Sequence, residues 1–276
     1  NITNQEAFAN KVVWITGASS GIGEEMAVAF ATSGSKLVLS ARNTEQLERV
    51  EKRCHAAGAD QDSVLVVPLD VVDLDAMPGA VKKVMETYSV IDLLINNAGV
   101  GVRDFCTEVQ LDLYRAALEV NLMGPIALTK QVLPIMIKQG SGHIAGTSSV
   151  AGKVGIPLRT AYCAAKFGLI GFLDALRAEV AHHGIKVSTI IPGLVKTGAV
   201  ANAMVGDGSV IGAEKGVMTE GMTAEEAAAA ILPQLACQAD EFVIGNCDSC
   251  KMVELKRNDP TMIFRGLEQM AESLYT

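Results

Sequence analysis

Short apolar runs alternate with longer amphipathic stretches along this chain. The runs at 11–16 (KVVWIT), 36–40 (KLVLS), 63–69 (SVLVVPL), 90–95 (VIDLLI), 142–148 (GHIAGTS), 185–191 (IKVSTII) and 241–245 (EFVIG) are rich in valine, isoleucine and leucine, with little polar alternation. Parallel strands covered on both faces have that character. Helix-length segments separate them at 22–33, 44–57, 73–88, 108–139, 160–182 and 223–238. Strand and helix in turn predict an α/β fold: a doubly wound parallel sheet of about seven strands, flanked by helices. No polar linker or solenoid repeat divides the chain. Residues 1–276 therefore read as one domain, with a core over 11–246 and a C-terminal extension over 247–276.

The stretch 198–222 is the most loop-like and carries six glycines. Long loops at the carboxyl ends of strands often bind ligands, so a mobile lid over a substrate pocket is expected there, with a plain connection as the alternative.

Composition narrows the function. A net charge of −8, without a lysine/arginine-rich stretch or an aromatic platform, argues against nucleic acid as the main partner. No apolar run reaches the roughly 18 residues expected of a membrane span, and no signal peptide is visible. The chain begins at Asn1 rather than methionine, which leaves room for an upstream anchor. Scattered cysteines (Cys54, Cys106, Cys163, Cys237, Cys247, Cys250) suit reduced thiols in the cytoplasm or another reducing compartment. Cys247 and Cys250 form a lone CxxC with no histidine after His183, so no metal site is expected.

Two stretches carry candidate chemistry. TGASSGIGEE (16–25) follows the first strand and opens a helix, and Gly17, Gly21 and Gly23 let the backbone turn tightly against a pyrophosphate. The spacing is GxxxGxG, and no GK[ST] follows to make a Walker loop. At the end of the second strand, where NAD enzymes usually offer an acid, SARN places Arg42, which suits the 2′-phosphate of NADP(H). In YCAAK (162–166), Tyr162 and Lys166 share one face of a helix that is otherwise apolar. The alternative is a lysine that merely snorkels past the core.

TGASSGIG (16–23), NNAG (96–99), Asn121, the serines at 148–149, YCAAK (162–166) and PGLVKT (192–197) occur in order on this alternating chain. Together they resemble the short-chain dehydrogenase/reductase family, short single-domain branch, over roughly 11–246. SSVAGKVGIP and the tail DPTMIFRGLEQM are similar to hydroxysteroid dehydrogenase-like and carbonyl-reducing members. The resemblance implies a Rossmann-type NAD(P)-binding domain and an oxidoreductase that interconverts an alcohol and a carbonyl. It makes Tyr162 the general acid/base. Lys166 would stabilise the phenolate, aided by the positive ring of oxidised cofactor, and hold the nicotinamide ribose. Ser149, 13 residues before Tyr162, would bond the substrate oxygen, with Ser148 as its rival on the opposite strand face. Asn121 would join the proton relay to Lys166 through water, the alternative being a kink residue before Gly124-Pro125. Cofactor contacts would fall on Gly17, Ser19, Ser20, Gly21, Ile22, Gly23, Arg42, Tyr162 and Lys166. Asp70 and Val71 would lie at the adenine, Asn97, Ala98 and Gly99 beside the adenosine ribose, and Pro192, Gly193, Val195 and Thr197 at the carboxamide.

Two departures stand out: Ala165 where a serine is common, and Ala145-Gly146 where larger apolar residues are usual. The helix 160–182 is apolar nearly all round, and with family habit this leads us to expect a homodimer or homotetramer. Candidate substrate walls (Val100, Val102, Phe105, Val150, Val154, Leu158, Leu194, Met204) are apolar, as a lipophilic carbonyl or alcohol would require. A non-catalytic NADP-binding scaffold is opposed by the complete Asn121, Ser149, Tyr162 and Lys166 set. An epimerase or lyase on the same fold is opposed by length and glycine spacing.

Overall fold

The computed structural model describes residues 2–212, 220–245 and 248–274. Seven strands form one parallel sheet: β1 Val12–Thr16, β2 Lys36–Ser40, β3 Val64–Val66, β4 Leu93–Asn96, β5 Gly142–Thr147, β6 Ile185–Pro192 and β9 Glu241–Ile244, in the order β3-β2-β1-β4-β5-β6-β9. A separate parallel pair, β7 Val195–Lys196 with β8 Met222–Thr223, lies outside the sheet and was not foreseen, because two residues carry no periodicity. The helices are α1 Asn4–Phe8, α2 Gly21–Thr32, α3 Thr44–Ala56, α4 Met77–Tyr88, α5 Leu111–Leu118, α6 Gly124–Gln139, α7 Thr160–Val180, α8 Ala224–Ala236, α9 Asp248–Asn258 and α10 Pro260–Glu272.

Strand β1 shows why the runs lack polar alternation. All five of its residues are buried. Val13 and Ile15 face one core, with Phe30, Leu37, Leu39, Leu47 and Ile231. Val12 and Trp14 face the other, with Val38, Leu94, Leu128, Leu169 and Leu173. Both faces of the pleat are covered, so positions 12–15 are all apolar. Strand β3 is shorter than its apolar run, although Val67 and Leu69 still bond the Leu39 and Ala41 carbonyls at 3.0 Å; Pro68 falls between them, where an edge strand can lack an N–H.

The stretch expected as one helix at 108–139 is three pieces. Between α5 and α6 lies a π-helical turn, Glu119–Met123, in which the Gly124 N–H reaches back five residues to the Glu119 carbonyl. Pro125 has no N–H for the Asn121 carbonyl one turn earlier, so the ordinary ladder breaks there. Taken as continuous, Leu111–Gln139 is long and apolar enough to cross a membrane, contrary to the expectation from uninterrupted apolar runs. In the fold it packs on β4, β5, α4 and α7, with Asn121 and Thr129 buried.

Residues 198–212 of the expected lid make contacts with the segment after β4. Met204 bridges Val102 and Val210, and Gly206 donates to Asp104 Oδ2 at 2.9 Å. Residues 213–219 lie outside the described residues. At the C-terminus, Ile263 and Leu267 of α10 pack on Val154.

Thr16 joins the ends of β1 and β4. Its Oγ1, 1% exposed, accepts from the N–H groups of Asn97 (3.0 Å) and Ala98 (3.1 Å). Thr16→Val keeps the shape and strands both amides, so we expect a loss of roughly 2–4 kcal/mol in urea unfolding. Thr16→Ser should regain most of it; a serine variant as weak as the valine one would show that the hydroxyl is not the cause.

Candidate active site

Strand order reverses between β1 and β4, since the chain runs outward to β2 and β3 and then returns to β4. Turns leaving neighbouring strands part there and open a crevice at their carboxyl ends, where ligands of such sheets bind. The glycine turn sits on one lip. Gly17 is left-handed (φ 66°), and a Cβ on it would lie 2.8 Å from Ala98 Cα. A Cβ on Gly23 would lie 2.2 Å from the Gly17 carbonyl oxygen, so α2 can start only on glycine. Ser20 at the N-cap makes no side-chain capping bond, which leaves the first N–H groups of α2 without that acceptor. Across the crevice Thr197 meets Gly21, with its Cγ2 3.1 Å from where a Cβ would be. On the way to it, the Gly193 N–H of the Pro192-Gly193 turn donates to Ile244, and Val195 pairs with Met222.

Arg42 stands just past β2, exposed, with no side-chain hydrogen bond or ion pair among the described residues. Asp70 Oδ1 accepts from the Val72 N–H at 3.2 Å, so one of its oxygens shapes the turn after β3. Val71 is buried against Gly124, at the end of the π-turn. Asn97 turns its side chain inward: Nδ2 donates to the Thr16 and Gly17 carbonyls at 3.2 and 3.5 Å. Only its backbone is left to face a ribose.

One group was not anticipated. Glu24, in the first turn of α2 and only 6% exposed, receives both Arg49 guanidinium nitrogens at 2.6 Å and a bond from Arg53. Burial alone would raise its pKa, but the two arginines hold it below the usual carboxylate range. Arg49 also donates to the Ser19 carbonyl (3.2 Å), tying α3 to the tip of the glycine turn. The signal was the i,i+4 spacing of Arg49 and Arg53 opposite an acid just inside α2.

The other lip is built by the π-turn, the segment after β5, and α7. Asn121 is fully buried; its Nδ2 donates to the Ala117 and Val100 carbonyls (2.9 and 3.0 Å), and its Oδ1 accepts from the Val100 N–H (3.2 Å). A Cβ on Gly99 would lie 2.8 Å from that Oδ1 and 3.6 Å from Lys166 Nζ, so Gly99, Asn121 and Lys166 converge. Ser149 has extended backbone (φ −168°, ψ 163°), and the strand's alternation therefore runs past its last paired residue. Ser149 lies beside the Tyr162 hydroxyl, and its Oγ accepts from the Ala151 N–H at 3.1 Å, while Ser148 Oγ donates to the Lys166 carbonyl at 3.1 Å. Leu173 packs into the space that Gly146 leaves open.

Tyr162 and Lys166 lie one turn apart on α7, with the lysine turned to a backbone carbonyl. Lys166 Nζ donates to the Thr147 carbonyl at 2.8 Å and lies 5.7 Å from the Tyr162 ring centroid. Burial raises the phenol above its usual value, and Ser149 and the charge of Arg159 pull it back. Thr147 Oγ1 is buried without a hydrogen-bond partner. Of the expected substrate walls, Val102, Val150 and Val154 are buried in packing, while Val100, Phe105, Leu158, Leu194 and Met204 keep exposed surface. An open groove of about 730 Å³ lies between α10 and 155–163; Thr160 and Cys163 line it, and none of Asn121, Ser149, Tyr162 or Lys166 does. Among the described residues no cluster could hold a metal, and Cys250 donates to the Ile244 carbonyl at 3.6 Å; Cys247 lies outside them.

Burial pushes the Lys166 ammonium down to about 8 from 10.5. The unfolded chain then holds that proton more tightly, so the charge opposes folding below pH 8, by about 3 kcal/mol. The penalty fades as pH rises from about 8 to 10.5. Urea unfolding of wild type and Lys166→Met across that window should show the variant's relative advantage shrinking with pH. A difference that stays flat would mean the buried ammonium carries no such penalty.

The family model that matches is short chain dehydrogenase, over residues 11–206. A Drosophila melanogaster protein, dehydrogenase/reductase SDR family protein 7-like, is 39% identical over 265 residues, covering 96% of this chain and 81% of its own. A short-chain dehydrogenase/reductase from Burkholderia phymatum in complex with NAD superposes with a TM-score of 0.82 at 26% identity, covering 93% of this chain and 96% of that one. A metagenomic short-chain oxidoreductase in complex with NADP gives 0.70 at 29% identity, covering 86% and 98%. With the crevice, the glycine turn and the Tyr162–Lys166 helix in one frame, the chain belongs to the short-chain dehydrogenase/reductase family.

Proposed function

We propose that this oxidoreductase interconverts an alcohol and a carbonyl on a small molecule with an apolar body, uses NADP(H) in preference to NAD(H), and employs Tyr162 as general acid/base. The convergence of Ser149, Tyr162, Lys166 and Asn121 beside the crevice carries this reading. A non-catalytic scaffold would have no need to bury an ammonium against its own folding stability, and an epimerase or lyase on this fold would show no net NADPH consumption with an added carbonyl.

The residues fit a nicotinamide dinucleotide. The start of α2 offers N–H groups to a pyrophosphate, Arg42 has no acceptor of its own among the described residues, and the orphaned Thr147 Oγ1 lies next to the carbonyl that holds Lys166. When bound, this cofactor supplies or takes up the hydride at the reacting carbon. Tyr162, kept protonated by burial, gives its proton to the carbonyl oxygen in reduction and takes one from the alcohol in oxidation. Ser149 donates to the same oxygen and holds it against the phenol. Lys166 stabilises the phenolate and holds ribose hydroxyls, and Asn121 shapes the wall through which water returns a proton to it. A stripe of Ala164, Phe167, Gly171, Ala175 and Ala178 stays exposed along α7, the surface through which we expect the chain to self-associate.

Tyr162→Phe should keep the fold and NADPH binding and cut turnover by about 10²–10⁴. Turnover within a few-fold of wild type would remove Tyr162 from the mechanism.

Arg42 governs the second expectation. A charge-assisted bond to the 2′-phosphate is worth roughly 10- to 100-fold in affinity. Arg42→Ala should weaken NADPH by that factor and leave NADH nearly unchanged, and added salt should weaken wild-type NADPH binding more than NADH binding. Titrations of both cofactors at two ionic strengths decide this; equal losses in the variant would show that Arg42 does not read the phosphate.

A further inference from the structure

Nine arginines are spread along the chain, and five of them hold carboxylates: Arg49, Arg53, Arg115, Arg177 and Arg265. Arg42, Arg103, Arg159 and Arg257 form no ion pair or side-chain hydrogen bond among the described residues. Arg42, Arg103 and Arg257 are exposed, as unpaired cations ordinarily are; Arg159 alone of the four is partly buried.

Its position is specific. Arg159 caps the N-terminus of α7 and precedes Tyr162 by three residues, with Lys166 seven further along the same face. Thr160 and Cys163, on the neighbouring face, line the groove under α10 instead. The backbone that delivers Arg159 is strained: Leu158 is left-handed (φ 63°), which costs a residue with a Cβ about 1–2 kcal/mol. The Leu158 carbonyl accepts from the Asp104 N–H at 3.0 Å, so the 158–159 segment runs beside Arg103. Asp104 forms no ion pair with either arginine among the described residues: its Oδ1 accepts from the Phe105 N–H and its Oδ2 from the Gly206 N–H, both at 2.9 Å. Arg159 makes no capping bond, and α7 adds its own positive end. Burial pushes the Arg159 guanidinium below its ordinary value, Tyr162 opposes that push, and Arg103 adds to it, as three close neighbours should.

We propose that Arg159, supported by Arg103, binds a carboxylate of the substrate, so that the substrate class is an oxo acid or hydroxy acid with an apolar chain. This rests on Tyr162 marking the reacting end. Phe105, Leu158 and Met204 face the chain, and the guanidinium fork, whose planar geometry matches a carboxylate, fixes the head. An amphiphile of this kind reconciles apolar walls with two unpaired arginines.

The test compares 4-oxodecanoate with its methyl ester under NADPH, in wild type, Arg159→Gln and Arg159→Lys. Wild type should favour the acid by about 10- to 100-fold in kcat/KM, and Arg159→Gln should lower the acid-to-ester ratio by a similar factor, with Arg159→Lys between them. Equal use of acid and ester by wild type, or an unchanged ratio in Arg159→Gln, overturns the inference. Titrating decanoate and methyl decanoate into the protein–NADPH complex reads the same ratio without turnover. If no carbonyl is reduced yet decanoate binds more tightly through Arg159, the oxidoreductase reading fails and the anion site stands; no preference for decanoate overturns the site itself.

Discussion

The molecule is organised around a close approach between two backbone turns. The turn after β1 and the turn after β4 meet so tightly that Gly17 has no room for a Cβ against Ala98, and Gly23 none against Gly17 itself. Thr16 and Asn97 fasten the contact with side-chain bonds to backbone on both sides. Because these turns cannot part, the start of α2 is held at the lip of the crevice, with no side-chain cap from Ser20. Gly99 continues the same segment into contact with Asn121, which carries the constraint across to the π-turn. Both lips of the site thus hang on one pair of turns.

Charge inside this frame is treated in two ways. Glu24 is buried and fully answered, gripped by arginines from α3, and its effect is structural: it locks α3 against the glycine turn. Lys166 is buried and answered only by a carbonyl, with its charge disfavoured. Stability alone would select against such an ammonium, and an unbonded Thr147 hydroxyl in the same place adds to the cost. Locally unfavourable groups of this kind gather where a ligand completes the hydrogen bonding. That contrast separates site from scaffold.

Much of this was readable from the residues. All seven sheet strands appear in the sequence as apolar runs, because a strand covered on both faces needs no polar positions. The glycines were readable because only a missing Cβ permits such contacts. Three things were not. The π-turn at Glu119–Met123 keeps a helical periodicity, so its break rests on one absent N–H at Pro125 that pattern cannot weigh against Gly124. The Glu24–Arg49–Arg53 grip joins two helices: the i,i+4 spacing of the arginines marks a face of α3, but spacing on one helix does not name the acid on another that meets it. Valines 102, 150 and 154 looked like pocket walls because apolar residues serve walls and cores alike.

The i,i+4 spacing of Tyr162 and Lys166 brings the lysine near the tyrosine, 5.7 Å from its ring centroid. From its place on α7, the ammonium turns to the Thr147 carbonyl. Arg159, one turn the other way, is the positive charge that offsets burial of the phenol. A phenol held protonated by burial is a competent acid and a poor base, so deprotonation of an alcohol needs further positive charge close to the oxygen. Lys166 can add its share only where its hydrogen bonds are completed by ligand hydroxyls, since a desolvated ammonium is itself disfavoured. Along one helix face Arg159 therefore offsets burial of the phenol, while Lys166 sits against the Thr147 carbonyl with its own charge disfavoured.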